Sequence, residues 1–135
     1  MSSFLDTNIL VYAFDVGDPR KQQQAQLLLV GDGPFVVSTQ ILQELFWTLT
    51  RKLRPALDDA EAVRAVRETA AYRVVQVGVP IILAATTRVQ TASISFWDAL
   101  VVEAALAAGA TRLLTEDLQH GHVFDGTLRV ENPFQ

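Results

Sequence analysis

The sequence contains no cysteine, one methionine and two histidines. Without cysteine there is no disulfide framework, no zinc–thiolate site and no thiol nucleophile. Apolar residues are scattered among polar ones, and no run approaches the roughly 18–20 needed to span a bilayer. Met1-Ser2-Ser3 opens the chain without the basic segment or cleavage site of a secretory signal. The expectation is a cytoplasmic protein with no membrane role. Positive charge is also short: 11 Lys and Arg stand against 15 Asp and Glu, a net charge of −4. That argues against a broad basic surface that holds nucleic acid. It leaves room for an enzyme whose carboxylates carry cations that receive phosphate.

What is present is apolar: half of the 135 residues are hydrophobic. That excludes disorder and predicts one domain over residues 1–135 with a real core. Ser2 to Leu5 read as a strand. Thr7 or Asn8 then caps a helix through Ala13. Pro19 suits the first position of a helix running to about Val30, which Gly31-Asp32-Gly33-Pro34 ends. Phe35–Ser38 is the second strand, and Thr39 caps a helix to about Leu53. On it Ile41, Leu42, Leu45, Phe46 and Leu49 make an apolar face, opposite a stripe of Gln40, Gln43, Glu44, Thr48 and Arg51. Asp58-Asp59 start a helix to about Tyr72. Val74–Val77 is the third strand, followed by a helix over Pro80–Gln90. Ser95 caps a helix over Phe96–Ala108, apolar nearly all round and therefore buried, which Gly109 ends. Arg112–Thr115 is the fourth strand and Glu116–Gly126 a loop. Leu128–Val130 is a fifth strand at the sheet edge. Short apolar strands alternating with helices predict an α/β fold: a parallel sheet of four to five strands with helices on both faces.

Four carboxylates occupy special places on that plan. Asp6 follows the first strand and Asp117 the fourth, so both reach the edge where open α/β sheets bind ligands. Asp98 sits in the first turn of the buried helix, and Glu44 on the polar stripe of the helix after the second strand. Each has a plain reading taken alone. Asp6 could cap a helix, Asp98 could complement a helix dipole, Glu44 could be solvated, and Asp117 could be ordinary loop chemistry. Four acids sharing one pocket need cations, and oxygen-only ligands suit Mg²⁺ or Mn²⁺. Such a site can activate water for phosphodiester displacement. His120 and His122 flank Gly121 in a polar loop, and nothing pairs them with a nucleophile. Arg51, Lys52 and Arg54 form the one basic cluster. A helix C-terminus accounts for Lys52 and Arg54, while Arg51 lies seven residues from Glu44, on its face. Trp47 borders the same stripe, where an indole could stack on a base or sit in a protein interface.

Phe4-Leu5-Asp6-Thr7-Asn8-Ile9-Leu10, Ser38-Thr39-Gln40 through Glu44, Ser95-Phe96-Trp97-Asp98-Ala99 and Leu113-Leu114-Thr115-Glu116-Asp117 together resemble PIN-domain ribonucleases. Within them the chain resembles the VapC-type toxins of type II toxin–antitoxin systems. The closing Leu128–Phe134 is similar to one branch. The order and spacing of these short motifs carry the resemblance across the chain, although Leu57–Ser93 has no signature. It implies a Rossmann-like PIN fold and Mg²⁺-dependent RNA cleavage. Asp6, Glu44, Asp98 and Asp117 would be the catalytic, metal-binding acids, with Asn8 and Thr115 orienting them. Glu116 is adjacent to Asp117, so its side chain is expected to point elsewhere. It also implies a cognate antitoxin. The apolar excess on the Trp47 helix adds the expectation of a homodimer. Two other classes compete. A non-catalytic PIN-like binding module would lack an acid, and all four are present. A phosphatase-like enzyme with Asp6 as nucleophile wants a second aspartate at position 8, which is Asn.

Overall fold

The computed structural model describes residues 1–31 and 33–135. Asp32, in the turn expected after the second helix, lies outside them. The elements are β1 (Ser3–Leu5), α1 (Thr7–Tyr12), α2 (Pro19–Gly31), β2 (Phe35–Ser38), α3 (Thr39–Arg51) and α4 (Asp59–Thr69). They continue as β3 (Arg73–Val75), α5 (Val79–Thr91), α6 (Phe96–Ala107), β4 (Arg112–Leu114), β5 (Val123–Phe124) and β6 (Leu128–Glu131). One sheet runs in the order β3-β2-β1-β4-β6-β5, parallel except for β5, with helices packed on both faces.

β1 is central, and its three residues are all buried. Phe4 pairs with Val36 on one side and Leu113 on the other. The chain builds outward from β1 through β2 to β3, then returns through α5 and α6 to lay β4 on the opposite side. The strand order therefore reverses at β1 and β4, and the crevice beyond their C-terminal ends is the natural ligand site of such a sheet. The Asp6 amide donates to the Leu114 carbonyl at 3.0 Å, so the ladder still grips the chain where Asp6 leaves it.

Leu45 and Leu49 of α3 are fully buried against this sheet, and burial of each such side chain stabilises by about 1.5–3 kcal/mol. In α6, Leu100, Val101, Val102, Ala104 and Ala105 are buried as its composition predicts, but Trp97 is exposed. Ser95 caps α6, accepting from the Asp98 amide at 3.0 Å.

Several local readings need correction. Asp6, not Thr7 or Asn8, caps α1, and Ser38, not Thr39, caps α3. The Thr39 hydroxyl instead accepts from the Val77 amide at 3.1 Å, beyond the end of β3. Phe46 is 36% exposed rather than part of the core face, because Ile41, Leu45 and Leu49 already fill it. β6 is not the edge strand. The expected 116–126 loop contains β5, which pairs antiparallel with β6 and takes the edge. Asp125 and Gly126 both have positive φ, 51° and 72°, and the Thr127 amide donates to the Phe124 carbonyl at 3.0 Å. Asp-Gly before an apolar run is a hairpin signal.

The burial pattern of α3 can be tested by urea unfolding. Leu49→Ala should cost about 2–5 kcal/mol. Phe46→Ala should cost under about 1 kcal/mol, as expected at an exposed position. Equal losses would show that α3 presents a different face to the sheet.

Candidate active site

The crevice beyond β1 and β4 is an open cleft of about 820 Å³ whose walls include Asp6, Glu44, Asp98 and Asp117. Carboxylate oxygens of Asp6, Asp98 and Asp117 lie within 4.8 Å of one another. Three elements deliver them: the end of β1, the first turn of α6, and the loop after β4. Glu44 shares the cleft but stands outside that trio. Its Oε1 accepts the Thr7 hydroxyl at 2.7 Å, and its Oε2 accepts from Gln40 Nε2 at 3.4 Å.

Asn8 and Thr115 brace the trio. The Thr115 hydroxyl donates to Asp6 Oδ2 at 2.7 Å and accepts the Asp117 amide at 3.0 Å. Asn8 Nδ2 donates to Asp117 Oδ2 at 3.0 Å. Position 8 thus supports a neighbouring carboxylate through an amide, and it is not the second acid that a phosphatase-like reading wants. Glu116 also lines the cleft but stands outside the trio, its carboxylate accepting the Tyr12 hydroxyl at 2.6 Å and Lys21 Nζ at 2.9 Å.

The basic cluster is rearranged relative to expectation. Lys52 lines the cleft, whereas Arg51 lies outside the lining, its guanidinium 5.4 Å from the centre of the Trp47 ring. Trp47 lines the cleft and is 55% exposed. Arg54 donates to the Arg51 and Leu53 carbonyls at the helix end, each at 3.0 Å. His120 and His122 are not in the cleft lining. His120 Nδ1 accepts the Asn132 amide at 2.9 Å, and His122 meets the Phe124 ring edge-on. Sequence reasoning missed Thr7, Gln40, Tyr12 and Lys52. Thr7 sits beside Asp6, and Gln40 lies one turn before Glu44, a spacing that places it on the same face. The Tyr12 and Lys52 contacts had no local signal.

Burial pushes the Asp6 carboxyl from the usual carboxylate range up to about 7. Hydrogen bonds from Thr115 and Thr7 oppose this, and the charges of Asp117 and Glu44 add to it. Burial also raises Asp98, and Asp117 and Glu44 act on it in the same direction. Among the described residues no Lys or Arg forms an ion pair with any of the four acids. The trio is therefore negative charge without a protein counter-charge. Three convergent hard oxygen donors fit a divalent cation of the Mg²⁺ class.

Folding makes Asp6 a weaker acid, so the native state keeps its proton where the unfolded chain has lost it. The contribution of Asp6 is fully present below about pH 4 and is lost as pH rises to about 7. It amounts to on the order of 4 kcal/mol. Urea unfolding in chelator should show metal-free stability falling across this window. Asp6→Asn should remove that part of the slope and be the more stable protein at pH 8. An Asp6→Asn protein with the wild-type slope would place the titrating group elsewhere.

The PIN domain family model matches residues 3–123. No curated protein matches the chain by sequence. Among solved structures, the chain is similar to VapC20 of Mycobacterium tuberculosis, described as a sarcin–ricin loop cleaving toxin. The identity is 25% and the TM-score 0.69, over 83% of this chain and 87% of that one. A toxin–antitoxin complex from Klebsiella pneumoniae shares the fold at 18% identity and TM-score 0.73, over 98% of both chains. DNA-bound VapBC from Salmonella typhimurium shares it at 16% identity and TM-score 0.66, again over 98% of both. With the family model spanning most of its length and an acidic trio at the reversal of its sheet, this chain belongs to the PIN domain family.

Proposed function

We propose that this chain is a metal-dependent endoribonuclease, the toxin of a toxin–antitoxin pair. The observation that carries the reading is the Asp6–Asp98–Asp117 trio, which no Lys or Arg among the described residues pairs with and which opens to a cleft. The likeness to VapC20, a sarcin–ricin loop cleaving toxin, supports the same direction. Mg²⁺ is the ion we assign, with Mn²⁺ as its substitute, because the ligands are all carboxylate oxygens.

Asp6, Asp98 and Asp117 would hold the ion. When bound, it supplies positive charge to a phosphate and acidifies a water. The chain's own groups do the rest. Thr115 and Asn8 keep Asp6 and Asp117 aimed at a common point. Outer hydrogen bonds of this kind typically change metal affinity or activity 10–100-fold when removed. Glu44, fixed by Thr7, faces the same space and is placed to orient an attacking water or accept its proton. Trp47 offers a ring for a base, while Lys52 and Arg51 offer charge to the flanking phosphates.

Partners follow from the same surface. A cleft this acidic also suits a guanidinium, so an antitoxin that inserts an arginine would silence it. Phe46 and Trp47 add exposed apolar surface beside it, which suits a helical antitoxin segment or the second subunit of a homodimer. No helix among the described residues is long and apolar enough to cross a membrane. We place the protein in the cytoplasm.

Asp98→Asn should fold normally and lose RNA cleavage by at least about 100-fold, read on labelled RNA with Mg²⁺. Wild-type cleavage by the folded variant would remove the acidic trio from the mechanism. In the inactive Asp98→Asn background, Lys52→Ala or Arg51→Ala should lower the salt slope of RNA binding by about 0.7 each. A slope unchanged in both would mean that the Trp47 side of the cleft does not carry the RNA backbone.

A further inference from the structure

Gln40 is the second residue of α3 and is 7% exposed. Its Nε2 faces two acceptors from different elements: Glu44 Oε2 at 3.4 Å, one turn along α3, and the Trp97 carbonyl at 3.3 Å, in the first turn of α6. The carbonyl belongs to the residue immediately before Asp98. The two amide hydrogens can serve one acceptor each. Reversing the amide would put Oε1 against a carboxylate and a carbonyl, acceptor against acceptors, so the hydrogen bonds fix its orientation. In that orientation Oε1 is buried and meets no donor, and Gln40 is the one residue described with such an orphaned side-chain atom. A buried acceptor without a donor costs stability. An apolar side chain of similar size would fill this place without that cost.

The geometry points to Gln40 as a positioning residue that ties Glu44 to the start of the Asp98 helix and sets the span of the cleft between them. This rests on the nuclease reading of the same cleft. α3 carries Glu44 and α6 carries Asp98. Gln40 is the side-chain link joining them at the site, so it governs both where Glu44 points and how far Asp98 stands from the Asp6–Asp117 side. A residue kept only for packing should be worth more as Gln than as an apolar substitute. A residue kept for positioning should show the reverse in stability and a loss at the site.

The experiment compares wild type, Gln40→Leu, the nearly isosteric Gln40→Met, Glu44→Gln and the double variant Gln40→Leu/Glu44→Gln. Each is measured for melting temperature in chelator, Mn²⁺ affinity by calorimetry, and RNA cleavage. Both Gln40 variants should melt at or above the wild-type temperature. They should bind Mn²⁺ about tenfold more weakly and lose about tenfold in kcat with KM within about twofold. The double variant should be no worse than Glu44→Gln by more than the residual effect on Asp98, so the losses should fall well short of adding. Wild-type Mn²⁺ affinity and kcat in both Gln40 variants would overturn the inference. Losses that simply add to those of Glu44→Gln would overturn it as well. If wild type cleaves no RNA while the Gln40 variants still weaken Mn²⁺, the nuclease reading fails and the positioning role stands.

Discussion

Everything about this site follows from one carboxylate in the wrong solvent. Asp6 is 6% exposed, leaves the central strand of the sheet, and has two more acids within 4.8 Å of its oxygens. Burial alone disfavours its charge, and its neighbours disfavour it further. A chain selected only for stability would replace such a cluster or pair it with arginine. This one builds a frame that tolerates it. The Asp6 amide is held by the ladder, its Oδ1 accepts the Thr7 amide at 2.8 Å, and its Oδ2 accepts the Thr115 hydroxyl. These bonds keep the carboxylate oriented but do not neutralise it. A divalent cation is what the arrangement fits.

The same hydrogen bonds explain why the acids are not interchangeable. Asp6 and Asp117 are both hydrogen-bonded to Thr115, which ties their spacing to the ends of β1 and β4. Asp98 comes on a separate body, the buried α6 helix, whose first turn is set by the Ser95 cap. Glu44 comes on α3, one step back, with both oxygens engaged by neighbours. The sheet therefore supplies a rigid pair, and two helices supply acids whose distances depend on how those helices are tied to it.

Much of this was legible in the residues. Short apolar strands alternating with helices gave the parallel sheet, and strand ends gave the positions of Asp6 and Asp117. The apolar Ala-rich run of α6 announced a buried helix with Asp98 at its mouth. What stayed hidden depended on partners far away in sequence. Glu44 accepts the hydroxyl of Thr7, 37 residues away, and no local pattern shows that. Phe46 fits a helical apolar stripe as well as Leu45 does, but Ile41, Leu45 and Leu49 already fill the core face and leave it outside. β5 was missed for a different reason. Val123-Phe124 is too short to show alternation, and Asp125-Gly126 by itself suits an open loop as well as a hairpin turn. Lys52 suits a helix end by composition alone, and at the end of α3 it also lines the cleft.

The central claim is that the trio is a cation site built around a buried carboxyl group that no Lys or Arg among the described residues pairs with. It is tested most directly by the protons released when the cation enters. Calorimetric titration of Mn²⁺ at pH 6, repeated in buffers of different ionisation enthalpy, measures that number. With Asp6 at about 7, binding should release about 0.9 proton per site from this group. Saturable binding with close to one proton released would bear the account out. Absence of saturable binding, or binding with no proton released, would contradict it.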